Sequence, residues 1–332
     1  MSIIANFFEI IKRRRLCVLL ERHHRDSRAM TEWYPDWFYE IMERDAVRNR
    51  AYEQVVQEQV PGLSVLEIGT GPHVFLSAMC HRAGASEIIA LEANQHAFRS
   101  ACDYATHNQL DRLRLLHGFS DQITLQQRSQ VLIHELVGSI GSSEGMARFV
   151  ADAKRRLLVP NAVHIPAQCN TYLFPTEHPR LNLIESLLGW IYRGQRLHGK
   201  QFLRAYNFPI QAALAPPQEF ETIVFQNDYP LQDQRRLVFN VARDGWLSGF
   251  ALFIRLFVDA NRIVDSIEQA TNWSVPYIRL YNPALWVKQG SLIVVDVKTK
   301  LNQVDPSYTI EVALGDSIDT LSASAQYAWN GA

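Results

Sequence analysis

Between residues 64 and 133 the chain alternates short apolar runs with helical segments, and that alternation restricts the fold more than any other feature. Ser64-Val65-Leu66-Glu67-Ile68 reads as a buried strand, Ile88 to Glu92 as a second, Leu113 to His117 as a third and Gln130 to Ile133 as a fourth. Helical patterns lie between them, from about Val74 to Ala83 and from about Gln95 to Asn108. Strands alternating with helices build βαβ units and a mostly parallel sheet, and such sheets bind ligands beyond the carboxyl ends of their strands. Gly69-Thr70-Gly71 follows the first strand directly, and Glu92 closes the second strand twenty-one residues beyond Gly71. Glycines let a backbone approach a ligand, and an acid at the second strand's end can accept both hydroxyls of a ribose. NAD and S-adenosylmethionine enzymes share this arrangement. The third glycine of a dinucleotide fingerprint would fall at Val74, so the close approach of a pyrophosphate lacks support.

The fourth strand runs into His134 to Met146, HELVGSIGSSEGM, which carries Glu135 and Glu144 nine residues apart. Glu135 then stands at a strand's carboxyl end and Glu144 returns on a loop of Gly and Ser. Two converging carboxylates can hold a cation that offers parallel donors, and a guanidinium has that fork geometry. Taken alone, the segment also reads as an ordinary polar loop.

The flanks differ in style. Ile4, Phe7, Phe8 and Ile11, then Val18 and Leu19, recur at helical spacing, and helical patterning continues over residues 31 to 60 up to Pro61-Gly62. From about residue 163 short β-type runs dominate: 170–174, 222–225, 236–241, 249–258, 276–281, 291–299 and 309–314. They suit an antiparallel sandwich or barrel. Leu181 to Arg193 interrupts them as a helix with Leu183, Leu187, Leu188 and Ile191 on one face, and the segment to Pro217 reads as an insertion that invites a partner subunit.

Composition narrows the partners. Lys+Arg 33 against Asp+Glu 34 leaves a formal charge of -1, so no global field recruits nucleic acid or a membrane surface. The apolar run Leu16 to Leu20 is too short for a signal core or a membrane span, which makes the cytoplasm the expected location. Cys17, Cys80, Cys102 and Cys169 form no CxxC, and the eleven histidines show no ligand spacing, so no metal is expected.

These motifs together resemble the protein arginine methyltransferase family over nearly the whole chain. VLEIGTG, residues 65 to 71, is similar to the family's first motif, with Glu67, Gly69 and Gly71 at the cofactor and Glu92 as the ribose acid. Met42-Glu43-Arg44-Asp45-Ala46-Val47-Arg48 followed by Tyr52 resembles the N-terminal helix, where a Met-Leu-x-Asp-x-x-Arg pattern meets the cofactor. The resemblance implies Arg48 on the cofactor carboxylate, Met42 near the methyl group, and Ser120 and Asp121 of Gly118-Phe119-Ser120-Asp121 at the adenine. It implies Met146 packed on the cofactor and Glu135 with Glu144 as the double-Glu loop. Thr271-Asn272-Trp273 resembles the Thr-His-Trp loop that completes the acceptor pocket, with Trp273 as a wall.

The implied fold is α/β plus β. N-terminal helices (1–60) precede a Rossmann-like S-adenosylmethionine-binding domain (61–166), and a β-barrel domain (167–332) carries a helical dimerisation arm at about 181–217. The implied reaction methylates the guanidino group of arginine, producing S-adenosylhomocysteine, in a homodimer. Departures from the pattern are Glu43 at the Leu position, Pro72 and His73 where small residues are usual, and Asn272 in place of His, which leaves an Asn–Asp45 hydrogen bond as the substitute for an ion pair. They motivate a competing reading as a non-catalytic dimeric scaffold. Trp33, Tyr34 and Trp37 either shape the acceptor pocket or pack the helices on the sheet. A start close to the catalytic helices and no acidic surplus lean the acceptor toward free L-arginine or a small guanidine, as in natural-product biosynthesis, with a protein or peptide arginine as the alternative.

Overall fold

The chain opens with α1 (Ile3–Arg14), whose last turn collects Lys12, Arg13 and Arg14 at the end where cations oppose the helix dipole. Arg15, at φ 47°, turns the chain out of the helix. Val18 and Leu19 do not continue the helical spacing: Val18–Glu21 is a strand, β1, paired antiparallel with Phe202–Tyr206. A short apolar run has no decisive period of its own, and here an available sheet edge claimed it. Residues 1–60 are therefore not helical throughout. Two helices follow, α2 (Asp36–Glu43) and α3 (Ala46–Gln59). The architecture comes from a computed structural model and is described for residues 3–21, 36–187 and 201–330. Trp33, Tyr34 and the side chain of Trp37 lie outside what is described.

The alternation then builds a five-stranded parallel sheet from β2 (Ser64–Ile68), β3 (Glu87–Glu92), β4 (Leu113–His117), β5 (Ser129–His134) and β6 (Leu158–Ile165), in the order β4-β3-β2-β5-β6. Helices α4 (Phe75–Arg82), α5 (Gln95–His107) and α6 (Met146–Arg156) connect them. Register decides what this sheet offers. Ile68 lies opposite both Leu91 and His134, so the residues that follow, Gly69, Glu92 and Glu135, emerge side by side at the carboxyl edge. Tyr52 of α3 donates to the His134 carbonyl at 3.0 Å and pins the helix over that edge.

The second half is antiparallel. β1 joins β7 (Gln168–Thr176), β8 (Phe202–Tyr206), β9 (Gln218–Val224), β12 (Gly249–Phe257), β13 (Ile263–Asp265) and β14 (Val275–Arg279) in one seven-stranded sheet ordered β1-β8-β14-β12-β7-β9, with β13 on β12. A four-stranded sheet holds β10 (Gln232–Asn240), β16 (Leu292–Lys300), β17 (Ser307–Gly315) and β18 (Ser322–Asn330). A ribbon pairs β11 (Gly245–Leu247) with β15 (Leu285–Val287). One core runs through both halves, from Val65, Leu132 and Val150 to Phe250, Tyr308 and Trp329.

Within the expected arm, residues 183–187 are helical and residues 188–200 fall outside the described part. The arm does not extend as a projection to Pro217, because β8 sits inside the sheet between β1 and β14. Leu203 and Ala205 fill one face of the sheet beside Phe253 and Tyr277, which is the apolar burial that draws the segment in.

Candidate active site

The glycine turn is built by close approach. Gly69 takes φ +77°, and a Cβ there would stand 2.7 Å from Leu136 Cδ2. Gly69→Ala is expected to destabilise the fold by about 1–3 kcal/mol through overpacking, read as a lower urea midpoint at unchanged slope; an unchanged midpoint would mean that Leu136 yields freely. The Gly71 N–H donates to Glu92 Oε2 at 2.8 Å and the Asn94 N–H to Oε1 at 2.8 Å. Burial holds the Glu92 carboxyl above its usual range, against the pull of these backbone N–H groups. Glu67 turns inward and is 1% exposed. It accepts hydroxyl hydrogen bonds from Thr70, at 2.8 Å, and from Ser77, and burial pushes its carboxyl up to about 7. The expectation of a direct ligand contact is corrected: Glu67 braces the turn from inside, because at the end of a buried strand alternate side chains face the core.

Two departures from the sequence pattern turn out to be one feature. His73 Nδ1 is hydrogen-bonded to Glu43 Oε1, so the residue at the Leu position and the residue after Pro72 meet and tie α2 to the glycine turn. Val74 beyond them is held at φ 44°, a left-handed conformation unusual for a β-branched residue.

At the neighbouring strand end, Asp121 Oδ2 accepts from Arg148 Nη2 at 2.5 Å, and the Ser120 carbonyl accepts from Arg156 Nη2 at 2.7 Å. Among the described residues Asp121 Oδ1 and Ser120 Oγ are buried without a hydrogen-bond partner. A buried polar atom left alone costs about 1–3 kcal/mol, so both atoms suit a ligand that brings a donor and an acceptor.

Arg48 is the hub of the other end. Its Nη1 pairs with Glu135 Oε1 at 3.0 Å, Nη2 donates to the Met42 carbonyl at 2.5 Å, and Nε donates to Asn49 Oδ1 at 3.0 Å. These side chains are nearly closed to solvent, at 7% for Arg48 and 10% for Glu135. Three of the five guanidinium N–H groups are thereby used, and two remain for a carboxylate. Burial pushes the Glu135 carboxyl up to about 7 even though Arg48 pulls it down, and the charge of Glu144 adds to the rise. Glu144 is also raised by burial, against the guanidinium of Arg204 and then that of Arg48. Gly138 lets the loop fold on itself: a Cβ there would collide with Ser143 Oγ and stand 3.3 Å from Glu144 Cγ.

The antiparallel half holds this loop in place. The Gly141 N–H donates to Thr171 Oγ1 at 3.0 Å, and Ser139 Oγ bonds Ser274 Oγ at 2.9 Å. Ser142 Oγ donates to Glu221 Oε2 at 2.6 Å and so receives the hydrogen of Tyr308 Oη at 2.6 Å. Trp273 is turned into this framework. Its indole N–H donates to the Val137 carbonyl at 2.7 Å and it is 9% exposed, so it fastens the loop rather than presenting an open wall. Asp45 caps α3, accepting from the Arg48 N–H at 3.1 Å, and also accepts the backbone N–H of Asn272 at 2.7 Å. The expected Asn–Asp45 bond thus comes from the Asn272 backbone, while its side-chain amide donates to the Ile41 carbonyl. Met146 begins α6, fully buried, and Met42 is partly buried at the end of α2.

Known proteins resemble this chain in sequence and in fold. A probable protein arginine N-methyltransferase 6 of Arabidopsis thaliana is 27% identical over 144 residues, 42% of this chain and 33% of that protein. The aligned part thus spans only about a third of that relative's length. The fold matches Arabidopsis thaliana protein arginine methyltransferase 10 with a TM-score of 0.71 at 18% identity, covering 88% of this chain and 97% of that one. It matches a Trypanosoma brucei PRMT1 enzyme-prozyme heterotetrameric complex with AdoHcy equally, with a TM-score of 0.71 at 16% identity over 89% and 98%. No family model matches the chain. The chain is similar to protein arginine methyltransferases in part of its sequence and in its fold.

The shared fold joins a parallel Rossmann-like sheet to an antiparallel, barrel-like half, as the methyltransferase resemblance implied. No described helix is long and apolar enough to cross a membrane. The residues fit a bound S-adenosylmethionine at both ends: Asp121 Oδ1 and Ser120 Oγ lack partners where the adenine is expected, and Arg48 keeps two N–H groups for the carboxylate. Sequence reasoning missed Thr171, Glu221, Tyr308 and Arg204, which reach the double-Glu loop only through the second half's folding. The period-two pattern of Phe202 to Tyr206 was the one available signal.

Proposed function

We propose that the protein is an S-adenosylmethionine-dependent arginine N-methyltransferase, in which Glu135 and Glu144 hold the acceptor guanidinium. The observation that carries the reading is the register that sets Gly69, Glu92 and Glu135 side by side, with Glu144 folded back against Gly138. Relatives named as protein arginine N-methyltransferases and a structural neighbour solved with AdoHcy support it. Bound S-adenosylmethionine supplies an electrophilic methyl group on its sulfonium.

The protein supplies orientation and charge. Asp121 and Ser120 would hold the adenine, Glu92 the ribose hydroxyls and Arg48 the carboxylate, with Met42 and Met146 flanking the cofactor. A guanidinium stays protonated and its nitrogens share their electrons, so they are weak nucleophiles. Glu135 and Glu144, each accepting N–H bonds, draw positive charge toward one side and aim a free nitrogen at the methyl group. Such orientation can be worth on the order of 7–11 kcal/mol. The proton then leaves the methylated nitrogen, to Glu135 or to water. Asp45, Asn272 and Trp273 act by fastening α3, the loop and β14 around this point.

Incubating the full chain with labelled S-adenosylmethionine and free L-arginine, agmatine or arginine-rich peptides should label at least one acceptor, with mass spectrometry counting methyl groups. Labelling of none, with S-adenosylhomocysteine still bound, would favour the non-catalytic scaffold. Leu183, Ile184 and Leu187, exposed on the helical residues 183–187, support self-association through this segment.

A further inference from the structure

One cation near the clamp plays no part in the mechanism above. Arg204 sits on β8, opposite Leu20 of β1 and Pro276 of β14. Strand side chains alternate between faces. Leu203 and Ala205 enter the cluster around Phe174, Phe253 and Tyr277, so Phe202, Arg204 and Tyr206 take the other face. That face leads to the double-Glu loop. The rings of Phe202 and Trp329 are 6.0 Å apart, Trp329 stacks on Tyr308 at 5.3 Å, and Tyr308 Oη bonds Ser142, two residues before Glu144.

The Arg204 side chain is half-buried and makes no ion pair or hydrogen bond among the described residues, whereas Arg48 is paired with Glu135 at 3.0 Å. Its charge nevertheless reaches Glu144 more strongly than that of Arg48 does. The clamp therefore has a cation whose charge acts on its second carboxylate without an ion pair between them. An acceptor that is only cationic meets repulsion there. An acceptor that also bears a carboxylate one extended side chain from its guanidinium, about 7 Å by ordinary bond lengths, meets a partner.

We propose that Arg204 is the anion-reading residue of the acceptor site, selecting guanidino acceptors that carry a carboxylate, as free L-arginine does, over those that do not. This rests on the methyltransferase reading and names its substrate class. Arginine forks match carboxylates in two parallel bonds, and a site with an unpaired cation discriminates against an acceptor that leaves it unpaired.

The test compares kcat/KM of the full chain for L-arginine, for agmatine, which lacks the carboxylate, and for argininamide, which neutralises it. The parent should prefer L-arginine over both at least about tenfold, chiefly through KM. In Arg204→Gln the ratio should fall to near one, and Arg204→Lys should restore part of it. Because the ratio is taken within one preparation, a partly unfolded variant does not change it. Agmatine used as well as L-arginine by the parent, or an undiminished ratio in Arg204→Gln, would overturn the assignment and leave the methyltransferase reading standing. Transfer to no guanidine at all would overturn both. A peptide with Asp beside its Arg tests the carboxylate's source: if it outcompetes L-arginine and loses that advantage in Arg204→Gln, the role holds and the carboxylate belongs to a neighbouring residue.

Discussion

Replacing Glu144 by glutamine is expected to lower kcat/KM for methyl transfer at least about tenfold while the affinity for S-adenosylhomocysteine stays at the parent value. A hydrogen bond to a charged group contributes about 1.5–3 kcal/mol, roughly twice a neutral one. Glutamine keeps the shape and offers one neutral oxygen, so the loss falls on the acceptor. The cofactor's side is spared, since Arg48 pairs with Glu135 rather than with Glu144. In the parent, kcat/KM should climb with pH through about 7, because Glu135 holds a cation only when ionised and burial has pushed its carboxyl up to about 7. Below that value Glu135 is protonated and the clamp loses one of its two carboxylate charges. The rise should persist in Glu144→Gln, where Glu135 still titrates. Radiolabel transfer across pH 5.5 to 9 with calorimetry for the product nucleoside separates the two effects; a Glu144→Gln enzyme as fast as the parent would remove Glu144 from the clamp.

Arg48→Ala should be the most destabilising single change in the site. It leaves Glu135 in a nearly closed setting without its partner, and breaking a buried pair in this way costs about 3–5 kcal/mol. The melting temperature should fall by on the order of 10 °C. The pH dependence has a definite sign. The folded-state carboxyl of Glu135 lies above its unfolded value, so its contribution to stability is present at low pH and is lost as pH rises through about 7. Without Arg48 the folded value rises further, so the variant should lie nearer the parent at pH 5.5 than at pH 8. Adding Glu135→Gln should recover part of the stability at pH 8. Thermal melts of parent, single and double variants at the two pH values decide the matter, and equal loss at both would show that Arg48 acts by packing alone.

Much of the first half is legible from residues alone. Ser64 to Ile68 and Leu113 to His117 are read at their observed bounds, and the second and fourth strands to within one residue at each end, because fully buried parallel strands write continuous apolar runs between helices. Gly69 and Glu92 are legible for the same reason: the strand ends announce them. The second half is legible in class but not in pairing. Val18–Glu21 and Phe202–Tyr206 lie 180 residues apart and are neighbours, and nothing in either segment names the other. Without its partner in view, β8 reads as part of an arm.

Side-chain direction was also beyond reach. In the sequence Glu67 and Trp273 read as ligand-facing, and both face inward. A strand end and a loop fix where a residue stands, whereas the hydroxyls of Thr70 and Ser77 and the carbonyl of Val137 fix where it points. Asn272 kept its link to Asp45 through its backbone, a bond that depends on loop position and not on residue type.

By itself the sequence determined the parallel sheet, the glycine turn and the presence of two glutamates nine residues apart, since these follow from local period, strand ends and spacing. Only the tertiary structure decided what charges those glutamates. The register beside Ile68, the Arg48 pair at 3.0 Å and the face of β8 that carries Arg204 arise from contacts between distant segments. Electrostatic fields in a buried site depend on such distances and not on order along the chain.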